Sequence, residues 1–250
     1  MTDGRLLVTA IICFFIGIIA FYMGFIRLKQ KRQIENTPTS KIRSLAIGMV
    51  EIFGEATSIS LPFKSPLTKK SCVYYKIVVE EYKSQGKSSR WVTLRQDECK
   101  EPFYINDNTG KVVVDPKNCE LELPKDFSFE SGFGKDPSKE IQKYLLDNNL
   151  KFENFFGANK KMRFTEYRIG TGDKVYVMGT AVPKPSGEYS GRNEDNLMIT
   201  KGGKNDFYYI SDRPEKEILK AFGWKIFFGI YGGGALILAC LGIIIFYMII

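Results

Sequence analysis

Residues 72–83 read CVYYKIVVEEYK. Val73, Tyr75, Ile77 and Val79 fall on one side of an extended chain, and Tyr74, Lys76, Val78 and Glu80 on the other, because successive side chains of a strand point to opposite faces. A run so rich in Val, Ile and Tyr, with that period, predicts a strand. Outward from it lie SLAIGMVEIFGEA, RWVTL, PFYI, KVVVD, MRFTEYRI, DKVYVMGTAV, NLMIT and DFYYIS, separated by Gly, Pro, Asn, Asp and Ser clusters. Many short strands with turn signals between them predict a barrel or sandwich. In DKVYVMGTAV, Val175, Val177 and Gly179 share a face, and Gly48, Gly54 and Gly179 suit bulges or tight barrel corners.

Between PFYI and KVVVD stands NDNTG, residues 106–110. A helix–loop–helix calcium site needs oxygen ligands at alternate positions, glycine sixth and glutamate twelfth. Counted from Asn106, those places hold Lys111 and Lys117; counted from Asp107, Thr109 and Lys111 interrupt the ligand series. Asn108-Thr109-Gly110 is instead a turn sequence, with Gly110 tolerant of positive φ. Similarly, KSQGKSS (83–89) reads as a hairpin tip, and RIGTGDKV (168–175) as a tight turn between strands.

Two helices interrupt the strand pattern. In DPSKEIQKYLLDNN, Asp136 is the expected cap, Pro137 the first helical residue, and Ile141, Tyr144 and Leu145 an apolar stripe. In DRPEKEILKAFGWK, Asp212 and Glu215 are spaced as a capping box, Ile218, Leu219 and Phe222 share a face, and Trp224 and Lys225 suit a membrane interface.

Leu6–Ile26 and Ile226–Ile250 carry no charge. An apolar helix of about 20 residues rises about 30 Å and crosses a bilayer core. The first run ends FYMGFI and passes directly into RLKQKR, without the small residues of a signal-cleavage site; it reads as an uncleaved anchor. The expected organisation is a first span at 6–26, a basic juxtamembrane linker at 27–43, a β-rich domain at 44–212, an amphipathic pre-membrane helix at 213–225 and a second span at 226–250. The fold class is therefore two transmembrane helices flanking a mainly-β, barrel- or sandwich-like α+β soluble domain.

The domain between the spans carries the whole net charge of +8. Arg27, Lys29, Lys31, Arg32, Lys41 and Arg43 follow the first span against Glu35 alone, and Arg213, Lys216, Lys220 and Lys225 precede the second. Such flanks orient spans and hold anionic headgroups, so they read as membrane-side charge and not as a nucleic-acid patch. The expected topology is two-pass in the cell membrane with the domain cytoplasmic. Gly229 and Gly233, like Ala20 and Gly24, have the spacing that lets helices approach closely. Packing of the two spans on each other, self-association of two copies through Gly229 and Gly233, and lipid-facing glycines are all open.

Chemistry-bearing motifs are sparse. The chain has no histidine, which removes the commonest general base and metal-binding nitrogen. SGFGKDPS (131–138) has Phe129 and Asp136 where a phosphate loop needs Gly and Ser or Thr. Cys13 and Cys240 lie in the spans; Cys72, Cys99 and Cys119 fit neither a disulfide framework nor a zinc pattern. They are expected to be reduced thiols. No catalytic, cofactor-binding or metal-ligating residue is assigned, and no cofactor is expected. Tyr74, Tyr82 and Trp91 are candidate exposed aromatics for binding, with core packing the alternative for each.

Five blocks, GMVEIFGEA (48–56), KSCVYYKIVVEEYK (70–83), EPFYINDNTGKVVVDP (101–116), TEYRIGTGDKVYVMGTAV (165–182) and NLMITKGGKNDFYYISDRPEKEILK (196–220), stand in order before the second span. This order resembles the GIDE domain, also called BAM (beside-a-membrane), of membrane-anchored ubiquitin ligases and of stand-alone prokaryotic proteins. In the ligases, the pattern continues past the second span into a zinc-binding RING. Here the expectation is a prokaryotic-type member without a RING, since the sequence reaches Ile250 at the second span and lacks the histidine of the usual Cys/His RING. In the mitochondrial relatives the domain faces the intermembrane space, whereas the charges here favour the cytoplasm. The resemblance implies a membrane-tethered module that recognises an unidentified protein partner. The alternatives are a ligase subunit acting with a separate RING or conjugating protein, and a sensor of anionic lipid.

Overall fold

The computed structural model describes residues 2–86, 88–152, 159–185, 193–204 and 206–249. Lys87 of the KSQGKSS tip and Ile250 of the second span lie outside the described residues. Contacts divide the chain into a β-rich unit, Thr39–Arg213, and a helical unit formed by residues 1–38 and 214–250.

In the β-rich unit the first strands are β1 (Gly48–Ser58), β2 (Phe63–Lys64), β3 (Ser71–Gln85), β4 (Ser88–Cys99), β5 (Phe103–Asn106) and β6 (Lys111–Val114). They are followed by β7 (Glu120–Glu122), β8 (Phe127–Glu130), β9 (Met162–Gly170), β10 (Lys174–Pro183), β11 (Leu197–Thr200) and β12 (Tyr209–Ser211). β1 pairs with β10 from Gly48 to Glu55, then with β5 from Glu55 to Ser58. That change of partner, with β5–β6, β6–β11 and β11–β10 pairing, closes a five-stranded Greek-key barrel. At the corner, a Cβ on Gly54 would lie 2.4 Å from the Asn106 carbonyl oxygen. Only glycine lets the two backbones approach so closely.

The barrel is filled by alternate residues such as Ile52, Ile105, Val112, Val177 and Ile199, each contributing about 1.5–3 kcal/mol by burial. β12 and β7 extend the sheet beyond β10. The expected alternation in β10 is only half the story: Val175 and Val177 face the barrel interior, while Tyr176 and Met178 on the other side are buried as well.

The second sheet, β2-β3-β9-β8 with β4 on β3, is a half-barrel beside the first. β3 follows its predicted alternation from Tyr75 to Val79, with Ile77 and Val79 buried beneath α2 (Lys139–Asp147). A register shift between Cys72 and Tyr74 breaks the period, so Val73 and Tyr74 both enter the barrel core. Helix α2 presents Ile141, Tyr144 and Leu145 inward as expected. Its cap is Ser138, which accepts a bond from Ile141 N, and not Asp136. Asp136 instead accepts from Asn159.

NDNTG is the tip of the β5–β6 hairpin. Asp107 accepts from Thr109 N (2.9 Å), Thr109 Oγ1 (2.6 Å), Gly110 N (3.2 Å) and Ile42 N (3.0 Å). Asn108, and not Gly110, takes the left-handed conformation, with φ 68°. Burial pushes the Asp107 carboxyl up, but those donors outweigh it and hold it below the usual carboxylate range.

In the helical unit, α1 (Thr2–Asn36) is continuous, so residues 27–36 extend the span as helix where a linker was expected. RLKQKRQIEN contains no Gly or Pro, and Pro38 follows its end. The second helix is likewise unbroken: α3 (Glu215–Phe227), a π turn at Phe228–Gly232, and α4 (Gly233–Ile249). Its cap is Pro214, without a side-chain bond, so the expected Asp212–Glu215 capping box does not form. Both helices are long and apolar enough to cross a membrane, and only 11% of each apolar window is buried. They pack on each other through small residues. A Cβ on Gly229 would meet Gly24 Cα at 2.8 Å, and one on Gly233 would meet Phe21 N at 2.8 Å. Gly229 and Gly233 are thus engaged by α1 of the same chain.

Candidate functional site

One face of the half-barrel sheet packs on α2; the other remains open. The register places Lys76, Val78, Glu80 and Tyr82 of β3 opposite Glu98, Gln96, Thr93 and Trp91 of β4. On the other side, the first three stand opposite Tyr167, Thr165 and Arg163 of β9. These residues share a face because directly opposed side chains lie on the same side of a sheet. A register shift at Val79/Glu80 is what carries the alternation of β4 past Leu94 and keeps Trp91 and Gln96 on the same face.

At the barrel end this face deepens into a groove of about 550 Å³, bounded by Lys76, Gln96, Glu98, Tyr167 and, from the β7 side, Cys119 and Glu122. The buried Tyr74 hydroxyl donates to Glu98 Oε1, while Lys100 Nζ lies 3.0 Å from Glu98 Oε2. Burial, then the Glu98 hydrogen bond and charge, push the Tyr74 phenol far above its ordinary range. Burial also pushes the Cys119 thiol up to about 12, and its Sγ donates to the Pro116 carbonyl at 3.0 Å. Both groups are therefore held protonated at neutral pH, and Cys119 is a poor nucleophile. Glu122 accepts from the Tyr209 hydroxyl at 3.2 Å and lies 3.8 Å from Arg213. What the groove offers is a set of fixed donors and acceptors suited to binding.

At the far end of the same face is an aromatic–cation stack. Tyr82 and Trp91 meet edge to face at 5.2 Å. The Arg163 guanidinium lies 4.0 Å from the Trp91 ring centroid, and Lys161 Nζ lies 4.5 Å from that of Tyr82. Arg163 is fixed by Glu130 at 2.8 Å and Glu80 at 3.7 Å. A cation over a ring face is favourable and stiffens long side chains that would otherwise be mobile. Of the three aromatics singled out from sequence, Tyr74 is core, whereas Tyr82 is 38% exposed and Trp91 half-buried. Lys161 and Arg163 were missed, because only the pairing of β3 with β9 brings them to Trp91.

The sequence matches the family described as GIDE, E3 ubiquitin ligase, over residues 75–245. The chain belongs to the GIDE family. No curated protein and no solved structure shows significant similarity to it. The GIDE match begins in β3 and ends in α4, so it takes in the open face and the second apolar helix together. Among the described residues no group of three or more Cys, Asp or Glu side chains is arranged to hold a metal ion. The five cysteines are free thiols. Cys72 is buried, and burial with the nearby Glu166 charge pushes it to about 11.

Proposed function

We propose that this GIDE-family chain is a membrane-tethered protein-interaction module, without a catalytic site of its own, whose half-barrel presents its open face to a partner protein. The observation that carries the reading is the contrast between the two sides of one sheet. One side is sealed by α2 over Ile77, Val79 and Phe164; the other holds the groove and the Tyr82–Trp91–Arg163 stack in contact with solvent. Rigid aromatic and arginine side chains of this kind are what interface hot spots are made of. The two apolar helices support an anchor in a bilayer, and the basic residues from Arg27 to Arg43 and from Arg213 to Lys225 support a cytoplasmic domain at the cell membrane. The test is affinity purification of the full chain from its native membrane, beside a Trp91→Ala, Arg163→Ala variant. A protein recovered with the first and lost with the second supports the proposal; equal recovery with both counts against it.

The family description favours a second reading, that the module supplies recognition to a ubiquitin-type ligase assembled with a separate RING or conjugating protein. Its consequence is the loss of a ubiquitin-like modification from a membrane-associated protein when the gene is deleted. Full retention of such modifications would remove this reading and leave the first intact.

A further inference from the structure

We propose that the outward face of the second helix, from Lys216 to Tyr231, binds an anionic phospholipid; this rests on the bilayer anchor in the reading above and names the lipid class it takes. Residues 216, 220, 224, 227 and 231 recur at steps of four or three, so they line one face of a helix. Ile218 and Phe222, on the opposite face, are buried, and the Arg27 guanidinium of α1 lies 5.8 Å from the Phe222 ring centroid. The outward face is open. Lys216 and Lys220 are exposed, and Trp224, Phe227, Phe228 and Tyr231 are each more than half exposed. The rings hold one another in place, Trp224 meeting Phe228 at 6.0 Å and Phe227 meeting Tyr231 at 5.3 Å.

Polarity along this face follows the order of layers in a bilayer leaflet. Lys216 and Lys220 come first, and neither has an ion pair among the described residues. Four residues of helix rise about 6 Å, the depth of one interfacial layer. Trp224, four residues after Lys220, therefore falls where Trp is enriched, at the edge of the hydrocarbon. The rings of Phe227, Phe228 and Tyr231 follow, inside the charge-free run that starts at Ile226. Helical side chains lean toward the N-terminus, so these rings tip back toward the headgroups. Charge selects the headgroup. Residues 27–36 and 214–225 hold seven bases against three acids. Of those acids, Glu35 lies 3.3 Å from Lys31, while Glu215 and Glu217 stand in the first turn of α3, where the helix dipole favours them. The surplus is positive, so an anionic lipid gains from it and a zwitterionic one does not.

The experiment uses the full chain in phosphatidylcholine nanodiscs, with Trp91→Phe so that Trp224 is the one tryptophan left. Rising fractions of brominated phosphatidylglycerol, or of brominated phosphatidylcholine, are added, and the bromines quench an indole beside them. The glycerol lipid should reach half-maximal quenching at about fivefold lower fraction, and added salt should shrink that advantage. Lys216→Glu with Lys220→Glu should erase it, and Lys216→Arg with Lys220→Arg should keep it. Unchanged quenching by brominated phosphatidylcholine in the Glu variant shows that its helix still inserts. Lys29→Glu with Arg32→Glu makes the same change of charge on exposed residues of α1, and should leave most of the advantage. Equal quenching by the two lipids in the parent, or an advantage that survives Lys216→Glu with Lys220→Glu, overturns the site. Equal loss from the two double reversals also overturns it, because diffuse flank charge would then be the cause. Quenching by neither lipid removes the bilayer anchor itself, and the lipid site with it.

Discussion

Glu166, wholly buried on β9, reaches the 65–68 turn and accepts the Thr68 hydroxyl at 2.6 Å. Its other oxygen takes Leu67 N at 3.2 Å and Thr68 N at 3.3 Å. The carboxylate thereby fixes the turn that leads from β2 into β3, and with it the start of the longest strand. Glu166→Gln puts an amide donor in place of one of those acceptor oxygens. Leaving a buried donor unmatched costs about 1–3 kcal/mol. The expected result is a lower denaturation midpoint for the full chain in detergent, with Thr68→Val giving a smaller loss; an unchanged midpoint for Glu166→Gln would refute the role.

Asp97 predicts a dependence on pH. Burial raises its pKa, but hydrogen bonds from Arg95 and the Tyr144 hydroxyl outweigh that and hold the carboxyl below the usual range. A group whose folded pKa is depressed adds stability above its unfolded pKa and loses it as pH falls through the folded one. Asp97→Asn should therefore destabilise the chain at neutral pH, and the gap to the parent should close as the pH drops below about 4. Denaturant titrations across that window check the sign; a gap that widens toward acid would contradict it.

The two apolar helices meet at Gly24 and Gly229. A Cβ on Gly24 would lie 2.8 Å from Ile230 Cγ1 and 2.9 Å from Ile230 N. Gly24→Leu should cost about 1–3 kcal/mol by overpacking, read as a lower melting temperature in nanodiscs. Gly223→Leu, where a Cβ meets nothing within 4 Å, should not overpack in this way. Equal effects of the two would mean that helix propensity, and not packing, sets the response.

Sidedness can be read with one thiol. Ser88 is exposed at the β3–β4 tip, so Ser88→Cys, with Cys72, Cys99 and Cys119 replaced, reports where the domain lies. A membrane-impermeant maleimide should label it only after cells are opened, because the flanking basic residues favour the cytoplasm. Labelling in intact cells would place the domain outside.

Period and turn chemistry made most of the strands and α2 legible in the sequence. The strands that escaped have a physical reason. Phe63–Lys64 is too short for any period, ELE at 120–122 lacks apolar bulk, and FSFE at 127–130 was masked by the glycine cluster that follows it. The charged half of β4, RQDEC, is a strand because β3 pairs with it, not because of its own composition. Likewise, Ser138 won the cap of α2 because its hydroxyl reaches Ile141 N. Barrel closure rests on the parallel β6–β11 pair, Val113 beside Met198 and Val114 beside Ile199, and contacts that distant in sequence leave no local period. The open face was hidden for the same reason: Trp91, Lys161 and Arg163 become neighbours only through two ladders.

The most direct test of the open face as the partner-binding surface is site-specific photo-crosslinking in intact membranes. A photoreactive phenylalanine would be placed at Trp91 on that face, and in a second chain at Leu146, which is 69% exposed on α2. A discrete cross-linked protein from position 91 and none from position 146 is the expected result. The same product from both positions, or only from 146, would contradict it.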